Sequence, residues 1–324
     1  MIPIEEIRAA RERLAGRIVR TPLVRLELPE QPGAVFELPE QPGAVYLKLE
    51  NLQPIGSFKL RGALNAILQT ESEELRAGVV TASAGNMGQG VAWAAREFGL
   101  PCSVVVPDHA PETKLAAIER LGGTVVKVPY DRWWRAISES AFPEAEGLFI
   151  HPVQDERVMA GNGTIGLEIL DDLPEPDRVL VPFGGGGLSV GIASAVKAIR
   201  PETKVYAVEP ETGAPLTAAF ERGEPRPVEY QVSFVDGSGA PALLPAMWTR
   251  AREVLDGAFA VSLDETAAAV RLLAGRARVV AEGAGALALA AALREPGGRI
   301  ACIVSGGNID AFRLAEILAG RVPE

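Results

Sequence analysis

One lysine stands where a predicted strand ends and a helix begins. Lys59 lies in the segment GSFKLRGA, after Pro54 and Gly56 have broken the preceding strand. A lysine at a helix start is usually solvated surface, so this segment alone identifies no chemistry. The functional alternative is covalent or base chemistry at its amine.

Two further segments connect a strand to a helix through small residues. The segment TASAGNMGQG occupies residues 81–90, and its free backbone amides can hold a carboxylate. The segment VPFGGGGLS contains four consecutive glycines, Gly184, Gly185, Gly186 and Gly187. Such a run can fold into a nest of amide donors around a phosphate, or it can be a flexible turn. It lacks the Lys-Ser/Thr pair of a Walker loop and the spacing of a dinucleotide fingerprint.

The remaining polar candidates are a serine and two histidines. Ser305, in SGGN, closes the last predicted strand, where it caps a helix or contacts a ligand. His109 and His151 are the only histidines, so a Ser-His-acid triad or a His-rich metal site would have to be built from them. We expect neither.

Predicted strands and helices, which must position these residues, alternate along the chain. Short apolar runs rich in β-branched residues are separated by amphipathic helical stretches, which predicts an α/β protein with a mostly parallel sheet covered on both faces. The predicted strands are 45–50, 78–84, 102–107, 124–129, 178–183, 204–209 and 299–305.

Composition limits the partners and the compartment. The net charge of −10 argues against binding to nucleic acid or to an anionic membrane surface. Two isolated cysteines, a charged helical amino terminus and the lack of a long uncharged apolar run predict a cytoplasmic protein. Residues 26–45 contain a ten-residue tandem duplication, LELPEQPGAV then FELPEQPGAV, which predicts a surface loop.

Taken together, the segments resemble one enzyme family. GSFKLRGA, SAGNMGQG, VPFGGGGLSVG, VAEGAGALALA and SGGN occur in the order found in the threonine/serine dehydratase family of fold-type-II pyridoxal-phosphate enzymes, which includes serine racemases. The resemblance implies two domains, each with a twisted, mostly parallel sheet flanked by helices. A large cofactor-binding domain would comprise residues 1–75 and 150–324, and a small mobile domain residues 76–149.

The resemblance also implies roles for individual residues. Lys59 would carry pyridoxal 5'-phosphate as a Schiff base and act as the catalytic base. The cofactor would contact Phe58, Asn86, Gly184, Gly185, Gly186, Gly187, Leu188, Gly237, Glu282 and Ser305. The substrate carboxylate would lie on the turn formed by Ser83, Ala84, Gly85, Asn86 and Met87.

The expected reaction is β-elimination of a β-hydroxy-L-amino acid such as threonine or serine, which gives a 2-keto acid and ammonia. The alternatives are an amino-acid racemase, a β-replacement synthase, a ligand-binding protein on a retired enzyme fold, and a dehydratase of a bulkier substrate such as an aryl-serine or hydroxyaspartate. The resemblance further implies a homodimer and a small amino-acid substrate.

Three departures from the family's pattern narrow these alternatives. Ala84 replaces the serine that racemases need as a second acid, which favours dehydration. Met87 replaces a common histidine, which favours a larger or more apolar substrate side chain. Glu209 matches one carboxylate of a cation site in some relatives, but Pro215 replaces the other, so no metal is predicted.

Overall fold

A computed structural model describes residues 1–27, 44–294 and 297–323. Within these ranges the chain forms two sheets with helices packed around them, as the sequence predicts. All seven predicted strands are present, and their ends differ from the predicted ones by at most two residues. The predicted tandem loop at 26–45 lies almost entirely outside the described residues.

The strands belong to two sheets, named here in chain order. They are β1 (Leu23–Arg25), β2 (Ala44–Leu49), β3 (Val79–Ala82), β4 (Cys102–Pro107), β5 (Thr124–Val128), β6 (Leu148–Phe149), β7 (Arg178–Pro182), β8 (Lys204–Pro210), β9 (Gly257–Val261) and β10 (Arg299–Val304). In the part of the chain that is described, the larger sheet has the order β1-β2-β10-β7-β8-β9 and the smaller sheet β5-β4-β3-β6. Only β1 runs antiparallel to its neighbour among these pairs.

Helices connect the parallel strands, as crossovers between such strands require. They are α1 (Ile4–Leu14), α2 (Lys59–Gln69), α3 (Asn86–Glu97), α4 (Glu112–Arg120), α5 (Tyr130–Ser138), α6 (Glu156–Asp172), α7 (Gly187–Ile199), α8 (Pro215–Arg222), α9 (Pro245–Val254), α10 (Leu263–Leu272), α11 (Gly283–Arg294) and α12 (Ala311–Leu318). A π-helical turn covers Leu273–Ala277. Across residues 1–27, 44–294 and 297–323, no helix has the length and apolar character needed to span a membrane.

The larger sheet is buried on both faces. Along β7, Val179 and Val181 pack into a core with α6 and α7, while Leu180 between them packs into a second core with α11. Successive side chains of a strand point to opposite faces, so a continuous apolar run is what a doubly covered strand needs. The predicted two-faced packing is thereby confirmed for this sheet.

The smaller sheet repeats this arrangement within residues 79–149. Val104 and Val106 of β4 pack towards α3, whereas Val105 packs into a separate cluster with α5. The four strands lie inside the segment predicted as the small domain. That this segment forms a domain and moves as a unit stays a prediction.

Candidate active site

Lys59 is the first residue of α2 and is held there by the end of β10. The Phe58 N–H donates to the Ser305 carbonyl oxygen at 3.0 Å, and Ser57 and Gly306 form an isolated antiparallel bridge. The Lys59 amine donates to the carbonyl oxygen of Pro152 at 3.0 Å and lies 5.2 Å from the centre of the Phe58 ring. Removal from water lowers the pKa of Lys59 to about 8, and the Glu282 carboxylate partly opposes this shift.

The glycine loop (residues 184–187) connects β7 to α7 and has no room for side chains. A Cβ atom at Gly185 would lie 2.4 Å from Cγ2 of Val153, and one at Gly187 would lie 2.8 Å from the Val153 carbonyl oxygen. Gly186 adopts a φ of +98°, in the left-handed region that favours glycine. The loop therefore presents bare backbone at the amino terminus of a 13-residue helix, where amides and the helix dipole favour an anion.

The carboxylate turn (residues 83–87) connects β3 to α3 in the smaller sheet. The Gly85 N–H donates to Oγ of Ser83 at 3.3 Å, and α3 begins at Asn86. This turn is a second helix amino terminus that can receive an anion. Asn86 is fixed by two side chains, because its Nδ2 donates to Oε1 of Glu282 at 2.9 Å and its Oδ1 accepts from Asn308 at 2.8 Å.

Glu282 precedes α11 and lies beside the end of β10. A Cβ atom at Gly306 would lie 2.3 Å from Oε1 of Glu282, so the glycine permits the carboxyl group to approach. Burial raises the pKa of Glu282 to about 7, and the nearby Asp236 carboxylate contributes in the same direction. Glu282 is thus a carboxyl group that changes charge near neutral pH.

One cavity of about 610 Å³, the Lys59 cavity, brings the predicted site residues together. It is lined by every predicted cofactor and carboxylate position: Phe58, Lys59, Ser83, Ala84, Gly85, Asn86, Met87, Gly184, Gly185, Gly186, Gly187, Leu188, Gly237, Glu282 and Ser305. The lining comes from both sheets, at the carboxyl ends of β3, β7 and β10, where open α/β sheets bind ligands.

These residues fit pyridoxal phosphate on structural grounds. The glycine loop presents backbone without Cβ atoms at a helix amino terminus, where a phosphate can bind, and Lys59 supplies an amine of lowered pKa in the same cavity. The carboxylate turn adds a second set of backbone amides at a helix amino terminus, where an anion can bind. The predicted roles of the individual residues remain proposals, which the arrangement supports.

Glu209 has a different environment from these residues. Its carboxylate accepts hydrogen bonds from the Leu216 N–H at 3.0 Å, the Thr217 N–H at 2.7 Å and the Thr217 hydroxyl at 2.8 Å. Glu209 therefore caps the amino terminus of α8, and burial raises its pKa to about 7. Among the residues that the structure covers, no three His, Cys, Asp or Glu side chains are grouped as metal ligands.

Two features of the site were not predicted from the sequence. The Pro152 carbonyl that binds Lys59 is a backbone atom, and no residue type marks it. The second feature is a buried ionic network on α2. The guanidinium group of Arg61 pairs with the carboxylates of Glu50 and Glu168, with nitrogen–oxygen distances of 2.7–2.8 Å. Lys48 also binds Glu168. The charged residues inside the apolar strand VYLKLE and in KLRGA were the available signal for this buried network.

Comparisons with known proteins agree with the site. The family model described as pyridoxal-phosphate dependent enzyme matches residues 14–306. The L-threonine ammonia-lyase of Thermotoga maritima is 40% identical over 325 residues, covering 98% of this chain and 78% of the relative. The serine racemase of Mus musculus is 38% identical over 280 residues, covering 83% of each chain.

A solved structure gives the same result. The processed form of threonine deaminase isoform 2 from Solanum lycopersicum superposes with a TM-score of 0.83 and 33% identity, covering 98% of this chain and 88% of that one. The family predicted from the sequence motifs is confirmed. The chain belongs to the pyridoxal-phosphate-dependent enzymes of fold type II, in the group that contains threonine dehydratases and serine racemases.

Proposed function

We propose that the protein is a pyridoxal-phosphate-dependent ammonia-lyase that removes the β-hydroxyl group and the amino group from a β-hydroxy-L-amino acid such as threonine or serine. The observation that carries the proposal is the Lys59 cavity, in which a lysine amine, the glycine loop and the carboxylate turn meet. The relatives named as threonine ammonia-lyase and threonine deaminase support the same reaction.

In this proposal the backbone of the larger sheet holds the cofactor. The amides of the glycine loop and of Leu188 bind its phosphate, while Phe58, Gly237 and Glu282 border its ring. Asn86 binds the ring hydroxyl and Ser305 the pyridine nitrogen. When bound, the cofactor supplies a conjugated ring that accepts electron density from the substrate α-carbon. Ser305 would be a neutral partner for the pyridine nitrogen, because its hydroxyl group carries no charge that would hold a proton there.

The smaller sheet orients the substrate. Backbone amides of the carboxylate turn hold the substrate carboxylate, with the amino terminus of α3 contributing its dipole. Lys59 then takes the α-proton, because an amine with a pKa of about 8 is substantially unprotonated near that pH. The β-hydroxyl leaves as water after it accepts a proton, which the Lys59 ammonium group can return from the α-carbon. The released enamine reacts with water to give the 2-keto acid and ammonia.

Ala84 favours elimination over racemisation. A racemase must return a proton to the opposite face of the α-carbon, which requires a second acid on that face. Ala84 lines the Lys59 cavity beside Ser83 and has no proton to give. Lyase activity is therefore proposed as the main reaction, although the mouse relative is a serine racemase.

Release of 2-keto acid from a panel of L-β-hydroxy-amino acids tests the proposal. We expect turnover of threonine or serine by the holoenzyme, and a 100-fold to 10,000-fold loss of about the size of general-base effects in Lys59→Ala. Lys127→Ala is the matched control, because Lys127 forms an exposed pair with Glu112. The proposal fails if holoenzyme that contains cofactor releases no keto acid from any member of the panel.

Two finer parts of the proposal come from the sequence, one from the family resemblance and one from composition. The first is a homodimer, which light scattering of the purified protein would test. The second is a cytoplasmic location, which fractionation of the source cells would test. A dimer is expected at twice the chain mass of 34.2 kDa.

A further inference from the structure

His151 holds the segment of chain that contacts the Lys59 amine. This segment, the His151 turn (residues 151–154), lies between β6 and α6. Nδ1 of His151 accepts hydrogen bonds from the N–H groups of Val153 and Gln154, each at 2.9 Å. The Pro152 carbonyl oxygen in the same turn accepts from the Lys59 amine at 3.0 Å. A buried imidazole and the amine of the active site are therefore bound to the same four-residue turn.

The contacts of His151 and Lys59 lie at opposite ends of one peptide group. The N–H of Val153 and the carbonyl of Pro152 belong to the same peptide, which is trans. In a planar trans peptide the N–H and the C=O point in opposite directions, so the direction of one fixes the direction of the other. When Nδ1 of His151 holds the N–H, the carbonyl must point towards Lys59.

The imidazole can do this only as the neutral form with its proton on Nε2. Nδ1 receives two N–H groups and carries no proton, whereas Nε2 donates to the Ile137 carbonyl of α5 at 3.1 Å. Burial lowers the pKa of His151 from its usual 6.5, and positive charge on Lys59 lowers it further. The Ile137 hydrogen bond and the Asp155 carboxylate oppose the shift, and the Phe149 ring of β6 is an uncharged neighbour.

The His151 turn also contacts the glycine loop. A Cβ atom at Gly185 would meet the Val153 side chain, and one at Gly187 would meet the Val153 carbonyl oxygen at 2.8 Å. Pro152 and Val153 both line the Lys59 cavity. The turn thus lies between the two parts of the site that the cofactor would join, the amine and the phosphate loop.

We propose that His151 is a positioning residue for Lys59: it sets the peptide between Pro152 and Val153, and that peptide directs the Lys59 amine. The contact acts whenever Lys59 is a free amine, both in the cofactor-free protein and, in the proposed function, when it takes the α-proton. The inference rests on the proposed function for the importance of this amine, but not on the elimination step.

The test measures how fast the full-length cofactor-free protein forms its Schiff base at saturating pyridoxal phosphate, followed by absorbance. In this step the Lys59 amine condenses with the aldehyde and water is released, so no amino acid is needed. His151→Gln keeps a donor for Ile137 but places no acceptor at Nδ1, and the rate should fall about tenfold or more because two buried N–H groups lose their partner. His151→Asn keeps an acceptor oxygen close to its own backbone, as in Asx turns, and should stay within about threefold of wild type.

The matched control is Thr203→Val. This variant also removes a buried hydrogen bond, the one from the Thr203 hydroxyl to the Pro176 carbonyl at 2.8 Å, but away from the Lys59 cavity. Its rate of Schiff-base formation should equal that of wild type. A slower rate in this control, similar to that of His151→Gln, would show that any lost buried hydrogen bond has the same effect.

A second measurement uses the wild type and does not depend on the folding of a His151 variant. The chain has two histidines, so nitrogen NMR of the imidazoles gives two sets of signals, which His109→Asn assigns. At pH 7 His151 should be neutral with the proton on Nε2. A proton on Nδ1 would overturn the proposal, because that nitrogen could not accept the two N–H groups.

Two outcomes of the rate measurement also overturn it: a His151→Gln rate equal to wild type, or equal slowing in His151→Asn and His151→Gln. Failure of the lyase proposal looks different. In that case the Schiff-base rates and the NMR signals follow the expected pattern, yet the wild type releases no keto acid from the β-hydroxy-amino acids.

Discussion

Nδ2 of Asn86 donates a hydrogen bond of 2.9 Å to Oε1 of Glu282, and this bond joins the smaller sheet to the larger one inside the Lys59 cavity. Asn86 begins α3, and Glu282 precedes α11. The donor amide helps to favour an ionised Glu282, together with Lys114, whereas burial and the nearby Asp236 favour the neutral acid. The hydrogen bond between the two sheets therefore also helps to set the protonation state of Glu282.

Glu282 is expected to make the stability of the cofactor-free protein depend on pH. Its pKa is raised from 4.5 to about 7, so the folded state holds a proton that the unfolded state has already released between these values. The contribution of this group to the free energy of unfolding is complete below pH 4.5 and is lost as the pH rises through 7. Denaturant unfolding across this range should show the decline in wild type and a flatter profile in Glu282→Gln. Parallel profiles for the two proteins would contradict the assignment.

Gly185→Ala should release the cofactor. The added Cβ would lie 2.4 Å from Cγ2 of Val153. Overpacking of this kind costs about 1–3 kcal/mol of free energy and is relieved by displacement of the backbone, here the glycine loop. We expect cofactor affinity to fall about tenfold or more, measured by titrating apoprotein with pyridoxal phosphate. Gly275→Ala is the control, because its Cβ would meet no atom within 4 Å. Equal affinity in both variants would show that the loop does not hold the phosphate.

Arg61→Met should destabilise the fold. Arg61 is fully buried, and its loss leaves the buried carboxylates of Glu50 and Glu168 with Lys48 as their remaining cationic partner in the described network. Breaking a buried pair in this way costs about 3–5 kcal/mol. Denaturant unfolding measures the loss.

The control for this prediction is Arg76→Met, since Arg76 and Glu73 form a pair whose side chains are 77% and 72% exposed. Exposed pairs contribute under about 1 kcal/mol. If both variants lost a similar free energy of unfolding, the buried network around Arg61 would contribute no more to stability than a surface ion pair.

Ala84→Ser should introduce racemisation. The new hydroxyl would supply a proton donor in the carboxylate turn, and general acid catalysis contributes about 100-fold to 10,000-fold. Conversion of L-serine to D-serine, followed by chiral chromatography, should rise above the wild-type level while keto acid release continues. Ala110→Ser is the control, because Ala110 lines the same cavity outside the turn. D-Serine formation that is unchanged, or equal in the control, would contradict the role of Ala84.

The strands that could be predicted from the sequence are those whose residues are nearly all buried. Apolar runs such as CSVVVP and RIACIV were predicted as strands because a strand covered on both faces needs apolar residues throughout. Both runs are strands in the structure, and nearly all of their residues are buried. The strand at Gly257–Val261 was not predicted. Its edge position in the larger sheet leaves most of its residues partly exposed, and its sequence, GAFAV, has few β-branched residues.

The site was predicted as far as it depends on strand ends. Lys59 and the glycine loop follow strands of one sheet, and parallel topology brings such ends together. The ion pair that Lys114 of α4 forms with Asp236 could not be predicted in this way. It depends on how the two sheets face each other, and no local pattern in either segment encodes that arrangement.

The glycine loop offers a phosphate only main-chain groups, which substitutions over evolutionary time leave in place. Main-chain amides have no titratable proton in the physiological range and no side chain that a point mutation could remove. In the proposed function, attachment of the phosphate is thus separated from positions of the turn that would receive the amino acid, such as Ala84. Substitutions there can alter which amino acid reacts, or how, while the cofactor stays in place. The fold is accordingly suited to diversify its reactions by drift at a few positions around a constant anchor.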